Sequence, residues 1–219
     1  MRSKFDQQLA ALNQELTEMG AACARAISLA AQALEEQNVT KAAPVAELEE
    51  QTNEQERSIE ALCLKLLLQQ QPVARDLRQI SAALKMITDM ERIGDQAADI
   101  AEIIPFFLSH NTFDCRLVCR MAQQASGMVT QSVDAFVRRD VALAQSIAGQ
   151  DDLVDNDFTA VKQALIAAIA REPSQGEVAL DLLMIAKYFE RIGDHAVNLS
   201  EWVEFSVTGV HKHDGVQYE

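Results

Sequence analysis

The pentapeptide Glu91-Arg92-Ile93-Gly94-Asp95 returns as Glu190-Arg191-Ile192-Gly193-Asp194, and this recurrence constrains the fold more than any other feature of the chain. Extended, ERIGDQAADIAE aligns with ERIGDHAVNLSE, with seven of twelve positions identical at a constant offset of 99. A fixed-offset match of this length reports a duplicated unit. On a helix advancing about 100° per residue, Glu91, Asp95, Asp99 and Glu102 share an arc of roughly 80°. Ile93, Ala97, Ile100 and Ile104 fall opposite. The second copy repeats the split, with Glu190, Asp194, Asn198 and Glu201 against Ile192, Ala196, Leu199 and Val203. Each copy carries an acidic stripe backed by an apolar one.

Scarce glycine and proline, abundant Ala, Leu, Gln and Glu, and little β-branched alternation predict an all-α protein. Six helices are expected, over 2–37, 41–70, 74–109, 114–139, 141–171 and 175–207. Phe5, Leu9, Leu12, Leu16, Met19, Cys23, Ile27 and Ala30 supply a core face in the first. Leu77, Ile80, Leu84 and Ile87 do so in the third. Val118, Met121, Val129, Val133 and Phe136 do so in the fourth. Asn38-Val39-Thr40 reads as a turn, Gln71-Pro72 as a break, and Pro105 as a kink or an end. With a joint at 110–113, the expected architecture is two tandem three-helix bundles, 1–109 and 113–208. A weakly structured tail follows over 209–219.

At 219 residues the chain can bury a substantial core without staples. A formal charge of −14 excludes the usual nucleic-acid binder and opposes adhesion to anionic lipid. Cations and basic protein surfaces are the natural partners of such a charge. Cys23, Cys63, Cys115 and Cys119 lack a metal-thiolate spacing and read as buried apolar residues of a reduced protein. With no signal-like start and no apolar run of membrane length, a cytoplasmic location is expected.

The stripes admit two readings. A solvated charged face is one, since like charges a turn apart cost only roughly 0.2–0.5 kcal/mol per pair. The other is a cation site. Asp151 and Asp155 lie four apart on the fifth helix, and Glu49 and Asn53 take the matching places on the second. If the middle and last helices of each bundle face one another, four oxygen-bearing side chains converge per half. Clustered carboxylates without cysteine or histidine suit Mg²⁺, Mn²⁺, Ca²⁺ or Fe. No Glu-x-x-His occurs, so a buried di-iron redox centre is not indicated. Gly94 and Gly193 fit close helix packing. His195 reads as a satisfied surface residue, and Lys85 with Asp89 as an i,i+4 pair. Arg75, Asp76 and Arg78 fit either a solvated helix start or a partner contact. Trp202 reads as a core anchor beside the second stripe. No nucleophile–base pair, phosphate loop or hydrolase motif appears, so no catalytic residue is assigned.

The two Glu-Arg-Ile-Gly-Asp segments, the Gln71-Pro72-Val73-Ala74-Arg75-Asp76-Leu77-Arg78 stretch and the closing Glu201-Trp202-Val203 to Thr208-Gly209 together resemble the PhoU family of bacterial phosphate-uptake regulators. The resemblance covers essentially the whole chain and implies tandem three-helix bundles. It also implies metal-binding E(D)xxxD pairs at Glu91/Asp95, Glu190/Asp194 and Asp151/Asp155. The fourth pair is Glu49/Asn53, where Asn53 removes one charge. Iron, zinc, manganese or magnesium are the ions implied. The family role is that of a dimeric adaptor that represses the phosphate-starvation response. Its implied partners are a sensor histidine kinase and the ATPase of the phosphate ABC transporter. A metal-handling protein or metal-dependent enzyme on the same scaffold is the alternative.

Overall fold

The computed structural model describes residues 2–70, 72–110 and 113–210. Their helices are α1 (Arg2–Glu35), α2 (Val45–Gln70), α3 (Ala74–His110), α4 (Arg116–Arg138), α5 (Val141–Arg171) and α6 (Gly176–Thr208). Short 3₁₀ turns occupy Val39–Lys41 and Pro173–Gln175, and no β-strand occurs among the described residues. The expected all-α fold is present. The expected break at Gln71, the central part of the 110–113 joint and the tail with His211 and His213 lie outside the described residues.

Element ends show where local chemistry overrides periodicity. Asn38 Oδ1 accepts from Thr40 N at 3.1 Å and from Thr40 Oγ1 at 2.7 Å, which winds a 3₁₀ turn. Consequently α2 begins at Val45 and not at 41, directly after Pro44, whose missing N–H costs nothing there. Arg139 closes α4 at φ 58, donating its N–H to Ala135 and Phe136 carbonyls. Asp140 then caps α5 by accepting from Leu143 N at 3.0 Å. Pro105 does not end α3, which continues to His110. The fully buried Ile104 and Phe107 pin the helix on both sides of that proline.

Helices α1, α2 and α3 form one antiparallel bundle and α4, α5 and α6 another. The two join through α1 on α4 and α3 on α6, leaving α2 and α5 on the outside. One hydrophobic core runs through both halves. The apolar stripes Ile93, Ala97, Ile100, Ile104 and Ile192, Ala196, Leu199, Val203 are fully buried in it. Among the other expected core residues, Leu9 and Leu84 are half-buried, while Leu77 is 45% exposed. Leu77 sits in the first turn of α3, too near the end to be covered. Trp202 is half-buried against that core, its ring edge-to-face with Phe205 at 5.8 Å.

The α3–α6 contact carries a pseudo-twofold relation. His195 Nδ1 lies 2.9 Å from Asp89 Oδ1, and Asn198 Nδ2 donates to the same oxygen at 3.3 Å. The offset of 99 maps Asp89 onto Tyr188 and Asn198 onto Asp99, and Tyr188 correspondingly faces Asp99, which adds to burial in raising the phenol above its ordinary value. Two sequence expectations are corrected here. Asp89 is buried and turned toward α6, away from Lys85, and His195 is an inter-helix residue with a side chain only 13% exposed.

Candidate functional site

In the first half, α2 crosses α3 at Gly94. A Cβ there would stand 2.5 Å from Thr52 Oγ1, so only glycine permits this approach. The crossing sets Glu49 and Asn53 of α2 beside Glu91 and Asp95 of α3, all four half-buried. Burial raises the Glu91 carboxyl above its ordinary value, and the charges of Asp95, Glu56 and Glu49 raise it further. Burial followed by Glu49 and Asp99 does the same to Asp95. Asn53 Nδ2 donates to Glu49 Oε1 at 2.5 Å, while Asn53 Oδ1 is enclosed with no partner. The seam opens into a cleft of about 590 Å³ lined by Glu49, Asp95, Asp99, Glu102, Ala46 and Pro105 among others.

The second half repeats the arrangement between α5 and α6. A Cβ at Gly193 would stand 2.7 Å from Asp151 Oδ1. Asp151 and Asp155 thereby face Glu190 and Asp194. Burial, then Asp155, Asp194 and Glu190, push the Asp151 carboxyl up to about 6. Its Oδ1 is enclosed without a hydrogen-bond partner. Burial and Asp155 raise Asp194, against the opposing pull of Lys187. That lysine forms an ion pair with Glu190, and its Nζ lies 5.4 Å from the Phe158 ring centroid.

The middle and last helices of each half therefore face one another, and each seam gathers the four oxygen-bearing side chains expected. They face one another as open pairs. No group of three or more His, Cys, Asp or Glu among the described residues is drawn together tightly enough to hold an ion as it stands. The donor chemistry nevertheless fits a hard cation: oxygen ligands only, mutually repelling carboxylates, and enclosed Asp151 and Asn53 oxygens lacking a donor. The cysteines are not part of either seam. Cys23, Cys63 and Cys119 are buried, with thiols pushed up to about 12, and Cys115 is half-buried.

Two residues of the seams escape a reading by stripe alone. Glu56 charges the first seam and Lys187 neutralises part of the second. The duplication itself holds the signal. The offset of 99 places Thr88 opposite Lys187, and an offset of 102 between α2 and α5 places Glu56 opposite Phe158.

The PhoU domain family model matches residues 16–104 and 118–203. A Clostridium acetobutylicum phosphate-specific transport system accessory protein PhoU homolog is 31% identical over 210 residues, covering 95% of this chain and 96% of its own. A Synechocystis sp. protein of the same name is 34% identical over 211 residues, covering 95% and 93%. The crystal structure of PhoU from Pseudomonas aeruginosa superposes with a TM-score of 0.89 at 31% identity, covering 94% of this chain and all of that one. The phosphate transport system regulatory protein PhoU from Streptococcus pneumoniae gives 0.86 at 25% identity, covering 94% and 98%. These names describe accessory and regulatory proteins, and none of them names a catalytic activity. Two domain matches on the two halves, each spanning one acidic seam, settle the assignment: the chain belongs to the PhoU family.

Proposed function

We propose that this protein is a non-enzymatic cytoplasmic regulator of phosphate uptake that represses the phosphate-starvation response. It acts on a sensor histidine kinase and on the ATPase of the phosphate ABC transporter, as a homodimer. The supporting observation is the whole-length match to relatives named as phosphate-specific transport system accessory proteins. Among the described residues no helix is long and apolar enough to cross a membrane. Membrane-bound partners would thus be met from the aqueous side.

The acidic seams supply the metal part of the proposal. Glu49, Asn53, Glu91 and Asp95 would hold an ion in the first, and Asp151, Asp155, Glu190 and Asp194 in the second. A bound Fe, Mn, Mg or Zn ion neutralises carboxylates that otherwise repel. With such an ion bound, these residues would join the outer helix of each half to the helix at the molecule's centre. Deleting the gene should derepress phosphate-starvation genes in phosphate-rich medium, and unchanged transcripts would refute the regulatory role. The second reading, a metal-handling or metal-dependent enzyme, draws on the same seams. Turnover of phosphoesters by the purified protein would favour it.

A further inference from the structure

Three arginines of this acidic chain pair with carboxylates: Arg116 with Asp114, Arg120 with Asp157 and Arg138 with Asp134. Three others gather at one place in the fold without such a pair among the described residues. Arg75 and Arg78 lie one turn apart at the start of α3, and Arg139 stands at the left-handed cap between α4 and α5. Arg139 Nη1 donates to Gln79 Oε1 at 3.4 Å, and Gln79, itself buried, donates to Asn13 Oδ1 at 3.3 Å. This relay pins the guanidinium against the first turns of α3. Burial, and then the like charges of Arg75 and Arg78, hold Arg139 below its ordinary value. Asp76 pulls the other way there.

Among the described residues neither Arg75 nor Arg78 has a hydrogen-bond or ion-pair partner, and Arg78 Nε is enclosed without an acceptor. The chain has 33 acidic side chains for 19 basic ones, so such crowding is not forced by composition. Three guanidiniums that meet beside an acidic neighbour, Asp76, leave a net positive charge that an anion can answer.

We propose that Arg75, Arg78 and Arg139 form a binding site for a small oxyanion of the phosphate class, at the seam between the two halves. Guanidinium forks match the spacing of phosphate oxygens and bind them in pairs. Arg75 and Arg78 come from the first bundle and Arg139 from the second, so the anion ties the start of α3 to the end of α4. The choice of inorganic phosphate rests on the proposed role in phosphate control; the guanidinium cluster does not.

The test is calorimetric titration of the full chain with inorganic phosphate at fixed ionic strength. Wild type is compared with Arg78→Gln, Arg139→Asn and the exposed control Arg57→Gln. Asparagine tolerates the left-handed backbone at 139, so that variant removes the charge without straining the turn. Far-UV circular dichroism verifies that each variant is folded. Wild type and the control should bind one phosphate per chain, and each site variant should bind at least tenfold more weakly. Absence of saturable binding by wild type, or equal binding by all four proteins, would overturn the site. An acidic protein segment that binds this face while phosphate does not would overturn it as well. A chain that binds no phosphate yet still silences starvation genes leaves the regulatory reading standing.

Discussion

The two acidic seams descend from one unit, yet they balance their charge differently. In the first, an amide takes the place of a carboxylate: Asn53 donates to Glu49, and Glu56 adds a further negative charge beside Glu91. In the second all four carboxylates remain, and Lys187 supplies a tethered cation at Glu190. The glycines differ in the same way. Gly94 faces the buried, β-branched Thr52, which is held by a 2.8 Å bond to the Glu49 carbonyl, whereas Gly193 faces the mobile end of Asp151. The duplicated backbone geometry is shared; the side chains that tune charge and space are not.

The largest expected effect breaks the pseudo-symmetric pair at the centre. His195→Ala should cost roughly 2–3 kcal/mol, because the buried Asp89 carboxylate loses its closest partner. Tyr188→Phe, the counterpart across the pseudo-axis, should cost about 1 kcal/mol. Urea unfolding of both variants measures the difference, and equal losses would remove the asymmetry claimed for this contact.

Next come the glycines. Gly94→Ala should destabilise by about 1–2 kcal/mol, as overpacking against Thr52 outweighs the helix propensity gained. Gly193→Ala should be close to neutral, since Asp151 can swing aside while alanine recovers about 1 kcal/mol of propensity. Denaturant midpoints decide it; equal penalties would mean that both crossings are equally rigid.

The Asp151 carboxyl gives a pH-dependent test. Its folded value, about 6, lies above the ordinary 3.8, so the folded state holds the proton to higher pH. The associated stability is present below the ordinary value and lost as pH rises through about 6. In chelator-treated protein, Asp151→Asn should therefore stabilise at pH 7.5 by about 1 kcal/mol, after allowance for solvent screening, and lose that advantage near pH 4. A pH-independent effect would assign the change to packing instead.

The smallest effect sharpens the comparison of charge. Lys187→Thr introduces the residue that Thr88 supplies in the first half. It should change folding stability by at most about 1 kcal/mol, the upper end for a pair that is open to solvent on its lysine side only. Divalent-ion affinity of the second seam should rise roughly fivefold, matching the about 1 kcal/mol that a unit charge exerts on a divalent ion at about 8 Å in water. Titration in the Glu91→Ala/Asp95→Ala background isolates that seam, and unchanged affinity would show that Lys187 does not compete for it.

Much of this was legible in the sequence because it repeats. The recurring Glu-x-x-x-Asp segments located both stripes, the apolar stripe behind each located its buried face, and the four-residue spacing within 49/53 and within 151/155 located the opposing helices. Local rules failed where tertiary contact decides. Lys85 and Asp89 have the spacing of a helical ion pair, but Asp89 is claimed by His195 and Asn198 of α6. Leu77 has core periodicity but no neighbour to cover it at the end of α3. The Arg139 cluster is invisible in one dimension, since its members come from helices some sixty residues apart that meet only after the halves pack.

Metal content per chain, measured by mass spectrometry on protein purified without chelator or affinity tag, tests the central claim most directly. Wild type is compared with Glu91→Ala/Asp95→Ala and Glu190→Ala/Asp194→Ala. Stepwise loss, one seam's metal with each double substitution, is the result expected if both seams are cation sites. No metal in any form, even after incubation with Fe, Mn or Zn, would contradict that claim and return the stripes to partner docking or solvated surface.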